Sequence, residues 1–282
     1  MPGLVYFVMP GFVYFDSDVF HRVGATFSAQ GLATELRERI LVSPITMLEV
    51  LSHLTLKRNA EILTRIQAVH NWVNPNHAGF LEWPTHAIAR IGFFKEAEPD
   101  NFMSNIENTI NLCLATDSPE ELRESASKLK DSLDRMKEST FADFGRLVEG
   151  WRKEPLTPEA FSEMWVSGIA KRAKANPACR PVADIISSLS AFHEFEVQRL
   201  LTAVKNPEYK PNRNDILDSE QLPYLGDSRL HFLTCDGGYL ARIKKSPQAG
   251  QIHKVGLEEL ASVEKVEALL RNVTETGVDS RA

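Results

Sequence analysis

Apolar positions recur along this chain in two rhythms, and the change from one to the other organises it. Near the start, short apolar runs alternate with longer amphipathic stretches. Phe12 to Phe15 reads as a strand, Val19 to Arg39 as mostly helix with Gly24 and Gly31 as weak points, and Arg39 to Val42 as a second strand. Ser43-Pro44 supplies a hydroxyl N-cap followed by proline at the first helical position. The helix it opens runs through Leu56 and on towards Trp72, with Pro75 as its stop. Strand, helix, strand, helix is the order of a parallel sheet with crossovers.

From about Asn76 to Ser190 the strand-like runs vanish. Asn101 to Ala115, Pro119 to Trp151, Thr157 to Lys174 and Pro181 to Val204 each carry apolar residues at helical spacing. Leu122, Ala126, Leu129, Leu133 and Met136 form one stripe, and the charges off it, from Glu120 to Asp134, read as a solvated face. The first rhythm returns at Asn214, with a helix opening on Asp215 and Asp218. A strand from Leu230 to Leu233 follows, stopping at Thr234-Cys235-Asp236. A helix over Gly238 to Ile243, an edge strand over Gln251 to Val255 and a closing helix from Leu257 to Arg271 complete the pattern. The expectation is a three-layer α/β domain with a mainly parallel sheet, discontinuous over residues 12–75 and 205–275. An α-helical insertion, 76–204, interrupts it, and residues 1–11 form an N-terminal extension.

Totals narrow the function classes. With 38 acidic against 32 basic residues, a net charge of −6, the chain is no polycation, so any nucleic-acid contact must rest on a local patch. Cys113, Cys179 and Cys235 are far apart and without ligand spacing, which argues against a disulfide scaffold or a structural zinc site. Leu4 to Phe15 lacks the basic start of a signal sequence, and no run reaches the ~20 apolar residues of a membrane span. A cytoplasmic location is expected.

Acids stand at the ends of the α/β elements. Asp16-Ser17-Asp18 follows the first strand, Glu49 interrupts the apolar run Met47 to Leu51, Asp215 and Asp218 share a helical face, and Asp236 follows the strand from Leu230 to Leu233. Ligands of open α/β sheets sit off the carboxyl ends of strands, so this layout sends carboxylates to one rim. Mg²⁺ or Mn²⁺ takes oxygen ligands and would relieve the repulsion among them. Each acid also has a plainer role: Asp16 and Asp18 as helix caps, Asp215 and Asp218 as anions favoured at a helix N-terminus. Glu49 has no such role in view.

The series Val13-Tyr14-Phe15-Asp16-Ser17-Asp18, Ser43-Pro44-Ile45-Thr46-Met47-Leu48-Glu49, Asn214-Asp215-Ile216-Leu217-Asp218 and Phe232-Leu233-Thr234-Cys235-Asp236 resembles the PIN-domain nucleases. The resemblance covers roughly residues 12–56 and 210–256, and departs from the family's small members through the helical insertion. It implies Asp16, Glu49, Asp218 and Asp236 as catalytic, metal-binding acids, with Asp215 beside them and Ser17 and Thr234 as supporting hydroxyls. It also implies a metal-dependent endoribonuclease in which a metal-activated water hydrolyses phosphodiester bonds of RNA. An antitoxin-like protein partner and a homodimer are further expectations.

Two other readings fit parts of the chain. Asp16-Ser17-Asp18 also resembles the opening of haloacid-dehalogenase-type phosphatases, with Asp16 as nucleophile and Ser43 as the strand-ending serine. A non-catalytic helical interaction protein on a PIN-like scaffold is the other. Among remaining residues, the histidines have no zinc spacing, His53 lies one helical turn beyond Glu49, and Cys235 reads as a strand-end filler. Lys205, Lys210, Arg213, Arg229, Arg242, Lys244 and Lys245 could hold phosphates, and Tyr209, Tyr224 and Tyr239 could stack on unpaired bases, although Tyr224, inside an apolar helix, reads rather as core.

Overall fold

A computed structural model describes residues 11–28, 31–55, 59–73, 79–96, 101–116, 118–209 and 215–276. The extension before Gly11, the stop at Pro75, the end of a helix at Leu56, and His77, Lys210, Arg213 and Asn214 lie outside them.

In chain order the elements begin β1 (Phe12–Phe15), α1 (Ser17–Thr26), α2 (Thr34–Arg37), β2 (Ile40–Val42), α3 (Pro44–Ser52), α4 (Asn59–Trp72), β3 (Gly79–Phe80) and α5 (Pro84–Ala87). The helical run follows as α6 (Asn101–Ala115), α7 (Pro119–Lys153), α8 (Pro158–Arg172), α9 (Val182–Ser188) and α10 (Ser190–Lys205). The chain then forms α11 (Asp215–Glu220), β4 (Leu230–Thr234), α12 (Gly238–Arg242), β5 (Ile252–Lys254) and α13 (Val263–Thr276).

The strands make one five-stranded sheet in the order β3-β2-β1-β4-β5, every pair parallel. The α/β class and parallel sheet expected from the sequence are present. Alternate residues of the strands enter opposite cores, as the pleat requires. Val13, Phe15, Ile40, Val42 and Leu233 join a cluster with α1, α3, α4, α6 and α13. Tyr14, Phe232 and Ile252 join another with residues of α8, α9 and α10. Helix α7 serves both: Leu122, Ala126, Leu129 and Leu133 lie in the first cluster, Phe144 and Val148 in the second.

Several boundaries differ from expectation. β3 falls within residues set apart as insertion, yet it pairs with β2, Leu41 opposite Gly79 and Val42 opposite Phe80. Two residues are too short a run to show a period. The helix expected from Val19 to Arg39 ends at Thr26 and restarts at Thr34, with Phe27 extended at φ −154° and ψ 155°. The helix expected past Ser43 stops at Ser52, followed by a 3₁₀ turn, His53–Thr55. Pro181 to Val204 breaks at Leu189, where buried Gln248 accepts from Ala191 N at 2.9 Å and donates to Ser188 O at 2.9 Å. The closing helix is a 3₁₀ turn, Leu257–Leu260, followed by α13. No helix among the described residues is long and apolar enough to cross a membrane.

Candidate functional site

The sheet order reverses between β1 and β4: from β1 the chain moves outward through β2 to β3, then returns to β4 on the other side. Ligand crevices of open α/β sheets form at such a switch point, off the carboxyl ends of the strands. Asp16 and Asp236 follow these two strands. Asp16 caps α1, its Oδ1 accepting from Val19 N at 2.7 Å. Its Oδ2 accepts from the hydroxyl of Thr234 and from Cys235 N, the latter at 3.2 Å. The same Thr234 oxygen accepts from Asp236 N at 2.9 Å, so one fully buried hydroxyl joins both acids. Asp236 in turn accepts from Gly238 N at 2.7 Å. A Cβ on Gly238 would lie 3.1 Å from both Asp236 carboxylate oxygens, close enough to crowd them.

Glu49 and Asp218 arrive from helices. Ser43 caps α3 through Ile45 N at 3.2 Å and donates to Gln221 Oε1 at 2.7 Å. Gln221 Nε2 donates to Thr46 Oγ1 at 3.0 Å, Thr46 donates to Phe15 O at 2.6 Å, and Tyr14 donates to Gln221 O at 2.7 Å. This buried network ties the residue after α11 to β1 and the start of α3. It fixes where Asp218 and Glu49 stand. Ser17 hydrogen-bonds the Glu49 carboxylate, and Tyr239 donates to Asp218 Oδ1 at 3.3 Å.

Burial, with repulsion from neighbouring acids, raises the proton affinity of Asp16, Glu49 and Asp218. Asp218 is pushed up to about 7 by desolvation, then by Glu49, Asp215 and Asp236 against the Tyr239 hydrogen bond. Asp16 rises to about 6, chiefly by desolvation, with hydrogen bonds from Thr234 and Val19 opposing. Glu49 is raised by burial, and Asp16 and Asp18 add to that while Ser17 and Lys137 oppose it. The four carboxylates therefore share one electrostatic field.

No family model, curated protein or solved structure matches the chain.

The donor set fits a hard divalent cation in kind, being oxygen throughout and repulsive without a counter-charge. Among the described residues, however, no three His, Cys, Asp or Glu side chains form a group ready to hold a metal ion. Asp16 and Asp236 are instead turned to backbone N–H groups, so joint coordination requires their carboxylates to re-aim. Asp215 is engaged elsewhere: its Oδ2 accepts from Arg242 at 3.2 Å and from Tyr209 at 3.1 Å. It anchors Arg242, whose guanidinium also lies 4.8 Å from the Phe195 ring centre.

Other expectations change. Tyr239 is buried and offers no face to a base, while Tyr224 is buried in the core as its apolar setting implied. Arg229 pairs with Asp227 at 2.7 Å, while Lys205, Lys244 and Lys245 are exposed. Ser43, the serine of the phosphatase reading, is consumed by Gln221 and the α3 cap. His53 lies among cations, and burial followed by the charges of Arg65, Lys137, Lys130 and His21 lowers it to about 4. Arg65 feels Glu61, Asp18 and Glu49. Lys137 and Arg65, basic groups beside the acids, carried no local sequence signal because their helices join the rim only through tertiary packing.

Proposed function

We propose that the protein is a PIN-like, metal-dependent nuclease, an endoribonuclease that hydrolyses phosphodiester bonds at the rim between β1 and β4. The observation carrying this reading is the shared field of Asp16, Glu49, Asp218 and Asp236, drawn from four elements or their ends, with Asp218 raised to about 7. Maintaining like charges in a half-buried cluster is unfavourable unless a cation or proton joins them. Asp16, Glu49, Asp218 and Asp236 would hold Mg²⁺ or Mn²⁺, which when bound polarises a phosphoryl oxygen and lowers the pKa of water.

The chain's own groups have separable tasks. Thr234 holds Asp16 and the Asp236 backbone in register. Ser17 orients Glu49, Tyr239 orients Asp218, and Lys137 offsets part of the acidic field. Arg65 and Lys137 supply positive charge on the side of Glu49, suited to a phosphate backbone in a chain that is acidic as a whole.

The test is cleavage of an end-labelled, unstructured oligoribonucleotide with Mn²⁺ or Mg²⁺, beside a small phosphomonoester. Internal fragments are expected with metal and none with chelator. Asp16→Asn and Asp218→Asn should each lower the rate by at least about a hundredfold, the order expected when charge stabilisation at the reacting phosphate is lost. Full cleavage by either folded variant, or hydrolysis of the phosphomonoester alone, would overturn the proposal.

A further inference from the structure

The last strand brings a cation to the same rim as the acids. Lys254 ends β5, and its partner across the ladder is Thr234, the residue whose hydroxyl joins Asp16 to Asp236. Val255 N donates to Thr234 O at 2.8 Å, which holds the end of β5 against the end of β4. Because all five strands are parallel, the carboxyl end of β5 lies on the edge of the sheet where Asp16 and Asp236 follow β1 and β4.

Lys254 is exposed, yet the outer half of its side chain lies on the turn Asp236-Gly237-Gly238. A Cβ on Gly237 would stand 3.7 Å from Lys254 Cδ and Cε and 3.3 Å from Nζ, so the amine rests over bare backbone one residue from Asp236. Among the described residues, Nζ makes no hydrogen bond or ion pair. An exposed ammonium beside the acids, engaged by none of them, keeps its charge and three donors for an incoming anion.

A phosphodiester brought to the acids as part of a strand carries further phosphates on either side. On the α3 flank, Arg65 and Lys137 stand beside Glu49, and in a chain of net charge −6 such local cations decide where an anionic polymer can lie. Lys254 is their counterpart on the opposite flank, one strand spacing, about 4.8 Å, beyond β4. Lysine binds phosphate as a compact point charge on a flexible stem, which suits a backbone contact. We propose that Lys254 holds a backbone phosphate flanking the scissile one, so that an RNA strand crosses the rim from the Arg65 side of β1 to the end of β5. The inference rests on the nuclease reading for the place of cleavage. It narrows the substrate to a strand that continues past the scissile bond on the β5 side.

The test is equilibrium binding of a fluorescent, unstructured oligoribonucleotide to the full chain, followed by anisotropy in Ca²⁺ over a series of salt concentrations. Lys254→Gln should weaken binding at least about fivefold and reduce the slope of log affinity against log salt by about 0.7, the share of one single-strand phosphate contact. Lys254→Arg, which keeps the charge, should restore both. Lys265→Gln removes the same charge from an exposed position on α13 and should leave the slope unchanged. In a separate cleavage assay with Mn²⁺, Lys254→Gln should raise KM about fivefold with kcat within about twofold, the mark of a contact made equally in ground and transition states. No binding by the original chain, affinity and slope unaltered by Lys254→Gln, or an equal loss in Lys265→Gln would overturn the proposal. Binding that depends on Lys254 without any cleavage would instead overturn the nuclease reading and leave the phosphate contact standing.

Discussion

Asp218 shows what a single carboxylate costs at the rim. Folded, it keeps its proton to about pH 7, whereas the ordinary aspartate value is 3.8. Between those values the folded state binds the extra proton, so this contribution to stability is complete below about pH 3.8 and lost as pH rises through 7. Asp218→Asn removes the penalty. In chelator, the variant should exceed the original chain by at least about 1 kcal/mol at pH 8 in urea unfolding, with the difference disappearing near pH 4. The histidines of β4 and β5 act with the opposite sign. His231 Nδ1 and His253 Nε2 are 3.0 Å apart, and burial, then the charge of His231, lowers His253 to about 4. The unfolded chain takes up this proton near pH 6.5. Stability from the neutral imidazole is therefore present above 6.5 and lost as pH falls towards 4, and His253→Gln should flatten the denaturation midpoint over that interval relative to the original chain.

Packing between elements explains both what was legible in the sequence and what was not. Gly24 looked like a weak point in a helix, but a Cβ there would lie 2.3 Å from Trp72 Cδ1 and 3.0 Å from Ala68 Cα. The glycine lets α1 approach α4. Gly24→Ala should thus destabilise by about 1–2 kcal/mol in thermal or urea unfolding, since overpacking against a buried ring and backbone outweighs the helix-propensity gain of under ~1 kcal/mol. The strands β1, β2, β4 and β5, the α3 cap and the α7 stripe were legible because local period and capping chemistry specified them. Asp16, Glu49 and Asp236 stood out because they follow a strand or interrupt an apolar run, and Asp218 because it shares a helical face with Asp215. Breaks fixed by distant partners were not. Ala33 N, at the start of α2, is met by Glu267 from α13, and the gap between α9 and α10 is held by Gln248. Gln221, which ties the Asp218 helix to β1 and α3, likewise gave no local sign of its role.

At the scale of the molecule, the helical segment is part of both cores. Ile106, Leu122 and Leu129 pack on one side of the sheet, and Phe144, Trp165, Phe192 and Phe195 on the other. Replacing residues 101–205 by a short linker should consequently give a product without a cooperative unfolding transition; a soluble α/β remnant unfolding sharply would refute this account. The placement of β1 has another outcome. It lies inside the sheet, but β4, its partner through Phe12–Leu230 to Phe15–Leu233, follows more than two hundred residues later in the chain. Until that distal segment has been made, the edge of β1 that it covers stays open to other strands, so the interval between the two is the period in which mispairing threatens.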